Sequence, residues 1–236
     1  MPLDATLIPE LALAQSTGAR FVAGVDEVGR GALAGPVSVG VVVVDLDHPE
    51  IGAEQTGVWP VLRGVRDSKA LTPQARMRWA PIIEAQVTAH SVQHRAAHRI
   101  DDIGLSAALR EAGLAALHAA EAGLGHRVDA VIVDGAQDWL TGGRSERVHP
   151  MIKADSSALS VAAASVLAKV ARDELMAGFA RQYPPYAWQS NRGYGSAAHR
   201  EALADHGVTP LHRKSWNLGP TARDSSASSS TGASTD

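Results

Sequence analysis

The chain of 236 residues has no cysteine, and only 4% of its residues are aromatic. Without thiols it can form no disulfide, no thiolate metal site and no cysteine nucleophile. No apolar run approaches the roughly 20 residues that a membrane-spanning helix needs. Residues 1–15 also lack the basic-then-apolar order of a signal peptide. These absences predict a protein of a reducing compartment, located in the cytoplasm.

The overall composition is typical of a globular protein, with 45% hydrophobic and 20% charged residues. The length allows one sizeable domain, or a main domain with a small appendage. Charge is distributed unevenly: residues 1–143 carry 11 basic and 17 acidic side chains, whereas residues 144–220 carry 10 and 6. A formal net charge of −3 argues against a wholly basic nucleic-acid binder. The second half is therefore the better candidate for contacting phosphates.

An acidic pair follows the first apolar stretch. Residues 21–25 have strand character, so Asp26 and Glu27 are expected at the end of a strand. Neighbouring strand side chains point to opposite faces, so both could serve one site only if the backbone departs from the pleat. Paired carboxylates favour a hard cation such as Mg²⁺. Two alternatives stay open: the turn Gly29-Arg30-Gly31 could offer backbone N–H groups to an anion, or the pair could be a solvated strand end.

Two further acids follow later predicted strands. Residues 129–135 form a β-branched strand that ends in Asp134 and a glycine, and residues 149–155 form a short strand that delivers Asp155. Taken alone, Asp134 is typical of a turn and Asp155 of a helix N-cap. Together with Asp26 and Glu27, they give four carboxylates leaving three strand ends. Such a set is what a two-metal phosphodiester site requires.

The connecting segments predict a layered α/β arrangement. Residues 36–44 indicate a buried strand paired with the first, residues 45–64 a loop, and residues 158–183 an alanine-rich helix. Asp101 and Asp102 are expected to cap a helix that reaches about residue 122. Thr72 is the expected N-cap of a helix that begins at Pro73 and ends near Val87.

Three histidines, His90, His94 and His98, are spaced by four residues. On a helix or on a strand this spacing puts them on one side. No acidic partner accompanies them in the pattern of a known histidine metal motif. Exposed strand histidines are therefore the favoured interpretation over a metal face.

The segment 26–31, Asp-Glu-Val-Gly-Arg-Gly, followed by Gly35-Pro36-Val37, resembles the opening signature of bacterial ribonuclease HII, of the type 2 ribonuclease H family. The resemblance covers roughly residues 20–218, and further segments resemble family motifs in the same order. These segments are residues 67–69, 134–135, 153–155, 163–173, 193–195 and 212–215. The chain departs from the family pattern at Ala32, Ser157 and Asn191-Arg192.

The resemblance implies an α/β ribonuclease-H-like fold, a mixed β-sheet flanked by helices with a small helical C-terminal subdomain. We expect an N-terminal extension over residues 1–19, a catalytic domain over 20–183 and the C-terminal subdomain over 184–220. Residues 221–236 are almost entirely Ser, Ala, Thr, Gly and Asp, a composition that predicts a disordered tail. The implied catalytic and metal-binding residues, for Mg²⁺ or Mn²⁺, are Asp26, Glu27, Asp134 and Asp155. The implied substrate contacts are Gly29, Arg30 and Gly31 at the 2′-hydroxyl and its phosphate, Lys69, Ser165 and Lys169 at phosphates, and Tyr194 at the neighbouring deoxyribose.

The activity implied is that of an endoribonuclease acting on RNA-DNA hybrid duplexes and on single ribonucleotides embedded in DNA, in ribonucleotide excision repair. It would act as a monomer and cut 5′ to the ribonucleotide, leaving 3′-hydroxyl and 5′-phosphate ends. Recruitment by a sliding clamp through the tail is not expected, because the tail has no glutamine followed by spaced hydrophobic residues.

Three alternatives remain. Ribonuclease HIII is disfavoured because about 20 residues precede the motif, where that class has an extra domain, and because its members usually have lysine in place of Arg30. The others are another ribonuclease-H-like phosphoryl-transfer enzyme, such as a junction resolvase, and a hybrid-binding protein without catalysis.

Overall fold

The computed structural model describes residues 4–52, 57–143, 145 and 147–219. Within them, five strands form one mixed sheet in the order β3-β2-β1-β4-β5. The β1–β2 and β2–β3 pairs are antiparallel, whereas β1–β4 and β4–β5 are parallel. The strands are β1 (Phe21–Val28), β2 (Val37–Asp45), β3 (Ala89–Arg95), β4 (Ala130–Asp134) and β5 (Val148–Met151). The mixed sheet expected from the sequence is therefore confirmed.

Helices cover both faces of the sheet. The long helix α7 packs on one face with α1 and α3, and α5 packs on the other face. The described helices are α1 (Ile8–Thr17), α2 (Pro49–Gly52), α3 (Pro73–Gln86), α4 (Ala97–Ile103), α5 (Leu105–Leu124), α6 (Ala154–Ser157), α7 (Leu159–Gln182), α8 (Trp188–Asn191) and α9 (Ala197–His206). In the described part of the chain, no helix is both long and apolar enough to cross a bilayer.

Strand β1 continues past its predicted end. Its ladder with β2 is unbroken from Phe21 opposite Asp45 to Val28 opposite Ser38. Asp26 and Glu27 therefore lie inside a regular ladder, and the backbone does not depart from the pleat between them. The valine-rich partner β2 supplies the pairing that extends β1. The two carboxylates consequently leave β1 on opposite faces of the sheet.

Two glycines bring α7 into backbone contact with the sheet. A Cβ atom on Gly24 of β1 would lie 2.3 Å from the carbonyl carbon of Ser160. A Cβ atom on Gly40 of β2 would lie 2.5 Å from the carbonyl oxygen of Ala164. Real Cβ atoms do not approach backbone so closely, so only glycine fits at these positions. This contact sets the distance between α7 and the two central strands.

A third cluster of buried residues joins the segment after α7 to the rest of the molecule. Tyr186, Trp188 and Leu203 pack against Leu33, which follows β1, and Met176 of α7. The C-terminal segment thus shares a core with the turn after β1. The expected tail over residues 221–236 lies outside the described residues.

Several local expectations were wrong. Asp101 and Asp102 lie within α4, because Gly104 separates α4 from α5 and so places the start of α5 after them. Asp101 instead accepts hydrogen bonds from the backbone N–H groups of Lys214 and Ser215, at 2.9 Å each.

Three further corrections concern element ends. His98 lies on α4 rather than on β3, and the stretch 45–64 contains the short helix α2 within its described part. Strand β5 ends at Met151, so Asp155 lies on α6 and not at a strand end. By contrast, the N-cap of α3 is confirmed, since the Thr72 side chain accepts a hydrogen bond from the Ala75 N–H.

Candidate active site

Asp26 is a buried carboxyl group beside α7. Its residue is 4% exposed, and burial raises its pKa to about 8, helped by the negative charges of Glu27 and Asp134. A hydrogen bond from the Ser165 hydroxyl opposes this rise. The physical cause is loss of water around a charge that like charges already disfavour. Asp26 therefore holds a proton easily, unless a cation takes the proton's place.

Only one of the two carboxylate oxygens of Glu27 has a hydrogen-bond partner in the described part of the chain. One carboxylate oxygen, Oε1, accepts a hydrogen bond from Nη1 of Arg30 at 3.0 Å. The other oxygen, Oε2, is buried and has no hydrogen-bond partner within the described residues. A buried oxygen without a donor costs free energy. The arrangement leaves Oε2 available to a ligand.

Asp134 and Asp155 are brought together by a tight turn after β5. Lys153 has a positive φ of 58°, uncommon for a residue other than glycine, and this turn opens α6. The Ala154 N–H then donates to Oδ1 of Asp134 at 2.8 Å. Partial burial and then the charge of Asp155 raise the pKa of Asp134. The two carboxylates thus interact electrostatically although they leave different elements.

Lys69 is the cation that meets this acidic group. Its Nζ lies 3.3 Å from Oδ2 of Asp155, and its side chain is 75% exposed. Partial burial opposes it, but the charges of Asp67, Asp155 and Asp26 raise the pKa of Lys69 overall. An exposed ammonium at an acidic cluster can exchange its carboxylate partner for another anion, and the expected phosphate contact of Lys69 stays a prediction.

The two serines near Asp26 are buried. The hydroxyl oxygens of Ser165 and Ser68 lie 2.8 Å apart, and the Ser68 N–H lies 3.4 Å from the same Ser165 oxygen. In the free protein Ser165 therefore orients Asp26 and the segment that carries Lys69. The expected phosphate contact of Ser165 stays a prediction.

Lys169 lies in a different cluster. Its Nζ is 2.7 Å from Oδ1 of Asp173, and Arg76 and Arg192 approach Oδ2 of Asp173 at 4.0 and 3.6 Å. Burial lowers the pKa of Lys169, against the opposing influence of Asp173. The structure therefore does not bring the Lys169 ammonium into the group of four acids, and its phosphate contact stays a prediction.

The turn Gly29-Arg30-Gly31 has an inner and an outer side. Gly29 has φ +89°, and a Cβ atom there would lie 2.2 Å from Nε of the buried Arg172. Gly31 is exposed, and a Cβ atom there would meet nothing within 4 Å. Internal packing thus requires glycine at 29 but not at 31. The space beside Gly31 faces solvent.

Tyr194 lies next to this turn, on the loop before α9. It is 37% exposed, and the Arg172 guanidinium lies 5.5 Å from its ring centroid. The carbonyl of Tyr194 is hydrogen-bonded to Nδ1 of His199 at 2.9 Å. The ring is therefore supported by a buried cation while the side chain stays accessible.

The acidic and histidine side chains of the described residues do not form a preassembled metal-binding site. Within the described residues, no three histidine, aspartate or glutamate side chains converge closely enough to hold an ion without rearrangement. This holds for His90, His94 and His98 as well, and His94 is instead hydrogen-bonded to Ser38 at 2.7 Å. The four acids interact through their charges but do not converge on a common centre.

Sequence reasoning missed two buried arginines behind the site. Arg172 and Arg213 are both 0% exposed, although arginine is ordinarily a surface residue. Both lie in segments that resemble family motifs, but the hydrophobic pattern of the neighbouring residues did not predict that these arginines are buried. Their partners are backbone carbonyls, which a sequence motif does not reveal.

Solved structures define the class of this fold. Ribonuclease H2 from Pyrococcus horikoshii is 27% identical to the chain, covers 84% of it and 94% of its own length, and superposes with a TM-score of 0.66. Bst-RNase HIII in complex with Mn²⁺ is 24% identical over 92% of this chain and 72% of its own, with a TM-score of 0.64. The molecule has an α/β ribonuclease-H-like fold.

Sequence comparison specifies the family. The family model described as Ribonuclease HII matches residues 23–218. A ribonuclease HII from Streptomyces avermitilis is 44% identical over 207 residues, spanning 88% of this chain and 81% of the relative. The chain therefore belongs to the ribonuclease HII family, and its activity is that of a ribonuclease H, a hydrolase.

Proposed function

We propose that the protein is an endoribonuclease that cuts the RNA strand of RNA-DNA hybrids and the phosphodiester 5′ to single ribonucleotides embedded in DNA. The products would be 3′-hydroxyl and 5′-phosphate ends. The observation that carries the proposal is the electrostatic coupling of four carboxyl groups from β1, β4 and α6: the charges of Glu27 and Asp134 raise the pKa of Asp26, and that of Asp155 raises the pKa of Asp134. The 2′-hydroxyl is the group that distinguishes RNA from DNA, so recognition must act on it.

The four acids fit a pair of divalent cations chemically. All donors are carboxylate oxygens, which Mg²⁺ and Mn²⁺ accept. Mutual repulsion and burial raise the pKa values of Asp26 and Asp134, and the Glu27 Oε2 atom is buried without a partner in the described part of the chain. Bound cations would offset both the repulsion among the buried carboxylates and the free-energy cost of the unpartnered Glu27 oxygen. Asp26, Glu27, Asp134 and Asp155 would hold them, and two bound ions would supply an acidified water and stabilise the leaving 3′ oxygen.

The other side chains would position the substrate. Gly29, Arg30 and Gly31 would contact the ribose 2′-hydroxyl and its phosphate, and the exposed face of Tyr194 would pack on the adjoining deoxyribose. Lys69 would leave Asp155 to meet a phosphate. These roles would place the RNA-to-DNA junction across the acids, and positioning of this kind supplies much of catalysis in phosphoryl transfer.

The proposal is tested with an end-labelled DNA duplex that bears one ribonucleotide and with the same duplex made entirely of DNA. Wild-type protein, Asp134→Asn and the matched control Asp102→Asn, which changes an exposed aspartate on α4, are incubated with Mg²⁺, Mn²⁺ or chelator. The expected result is a metal-dependent nick 5′ to the ribonucleotide by the wild type and the control alone. Asp134→Asn should bind the duplex but not cut it.

Other outcomes would contradict the proposal in different ways. Turnover by Asp134→Asn would remove Asp134 from the catalytic set. Binding without any cleavage by the wild type would indicate a hybrid-binding protein. Cleavage of the all-DNA duplex would indicate another nuclease on the same fold.

The remaining expectations are part of the same proposal. A monomer in the cytoplasm, acting in ribonucleotide excision repair, is consistent with the proposed substrate. Recruitment to a sliding clamp through residues 221–236 is not expected, and a pull-down with and without that tail tests it.

A further inference from the structure

Arg213 lies behind the turn Gly29-Arg30-Gly31 and binds its backbone. Nη2 donates to the Gly29 carbonyl at 2.6 Å, and Nη1 donates to the Arg30 carbonyl at 2.7 Å. Nε and Nη2 also reach the Gly35 carbonyl, at 3.4 and 3.3 Å. The ring centroid of Trp216 lies 4.7 Å from the guanidinium carbon. One buried side chain therefore holds two successive peptide groups of the turn.

This cation has no carboxylate partner in the described part of the chain. The same is true of Arg172, which donates to the carbonyls of Ala34, Pro36 and Arg192. Burial and then the charge of Arg172 lower the pKa of Arg213 to about 10, so Arg213 remains protonated near neutral pH. Burying two like charges close together is costly, and Asp101 and Asp173 oppose that cost without forming an ion pair with either arginine. Both guanidinium groups are held in place by hydrogen bonds to backbone carbonyls.

The hydrogen bonds of Arg213 fix the direction of two peptide groups. The Gly29 carbonyl shares its peptide with the N–H of Arg30, and the Arg30 carbonyl shares its peptide with the N–H of Gly31. In a trans peptide the carbonyl and the N–H point in opposite directions, and the described chain has no cis peptide. Because both carbonyls point inward at Arg213, both N–H groups point outward. Neither donates a hydrogen bond to any described residue, and Arg30 and Gly31 are exposed.

We propose that Arg213 is a positioning residue for ribonucleotide recognition: it holds the turn so that the N–H groups of Arg30 and Gly31 face the 2′-hydroxyl and adjoining phosphate of the substrate. This inference rests on the proposed function and names what sets its selectivity. Donors fixed in advance need no reorganisation when the substrate arrives. The positive charge behind them strengthens their attraction for a phosphate in a partly buried setting.

The test compares Arg213→Lys with the matched control Arg147→Lys. Lysine keeps the charge but cannot donate to two carbonyls in a fork. Arg147 also donates to a carbonyl, that of Val128, but lies away from the turn. Kd values are measured by fluorescence anisotropy with chelator present, for a duplex with one ribonucleotide and for an all-DNA duplex, after titration of the active fraction. Arg213→Lys should weaken ribonucleotide binding about tenfold, the effect of one good hydrogen bond, and leave all-DNA binding unchanged.

A merely structural role gives a different result. Arg213→Lys would then reduce the active fraction or the Tm, while the ratio of the two Kd values stayed at the wild-type value, and that outcome overturns the inference. A wild-type protein that binds both duplexes equally would also overturn the inference, whereas a wild type that binds the ribonucleotide duplex but does not cut it in the presence of metal would overturn the proposed function. If Arg213→Lys does not fold, the inference is tested instead by amide hydrogen exchange of the wild-type protein. The Arg30 and Gly31 amides should be protected by the ribonucleotide duplex and not by the all-DNA duplex, and equal exchange in both refutes the inference.

Discussion

Glu10 on α1 makes the stability of the fold depend on pH through a group outside the active site. Its Oε1 atom accepts hydrogen bonds from the N–H and the hydroxyl of Ser160, at 2.8 and 2.6 Å. Its Oε2 atom is buried and has no hydrogen-bond partner within the described residues. Burial raises the pKa of Glu10 from 4.5 to about 7. The charged form is thus disfavoured in the folded state.

The size and sign of the effect follow from this difference. A carboxyl pKa raised on folding gives stability that is fully present below the unfolded value of 4.5 and declines as pH rises, until it is lost above about 7. At about 1.4 kcal/mol for each pKa unit, the loss is roughly 3 kcal/mol. The Glu10→Gln variant keeps the acceptor for Ser160 and cannot ionise. It should escape this loss.

Urea denaturation of the wild type and of Glu10→Gln, near pH 5 and near pH 8.5, measures the loss. The wild type should lose roughly 2–3 kcal/mol more than the variant between the two conditions. Asp26 also titrates in this range, but it is present in both proteins and cancels in the comparison. Glu84→Gln, on the outer part of α3, serves as control and should behave as the wild type. Equal pH dependence of Glu10→Gln and the wild type would refute the reasoning.

Four further substitutions have definite expected outcomes. In Gly29→Ala the new Cβ atom would clash with Arg172 at a position of positive φ, so the substitution should lower the unfolding free energy by about 2–4 kcal/mol. Gly31→Ala should change the unfolding free energy by less than about 0.5 kcal/mol yet lower cleavage of the ribonucleotide duplex more than about tenfold. Full activity of Gly31→Ala would contradict a substrate role for the outer side of the turn. Lys153→Gly relieves the positive φ and should raise the unfolding free energy by about 1 kcal/mol in urea, and no gain would show that the turn is unstrained. Lys69→Gln removes an exposed ion pair, so stability should change by less than about 1 kcal/mol, while the salt dependence of duplex binding should fall by about one unit of slope if Lys69 meets a phosphate.

Much of the layered fold could be predicted from local pattern. The β-branched run that ends in Asp134 and the alanine-rich stretch of α7 gave the correct element types, because propensity and periodicity act within a short window. The N-cap at Thr72 was equally local. These features needed no knowledge of distant residues.

The missed features depend on distant partners. The extra length of β1 comes from the ladder with β2, which only the assembled sheet supplies. Arg213 donates a hydrogen bond to the carbonyl of Arg30, which is 183 residues away in the sequence. Because every residue has a carbonyl, the sequence gives no sign of which one Arg213 binds. Asp155 was assigned to a strand end because its turn rests on a positive φ at Lys153, a conformation that lysine rarely adopts.

The glycine contacts under α7 have a consequence for how mutational data on this protein should be interpreted. Gly24 and Gly40 admit no side chain, because α7 backbone atoms occupy the space. A saturation screen scored by cleavage should rank both positions with the four proposed catalytic acids, although glycine is required there by contact with α7. Their intolerance would report the spacing between a helix and a sheet. A parallel screen scored by protein abundance would separate the two groups, since the glycines should fail in both screens and the acids in only one.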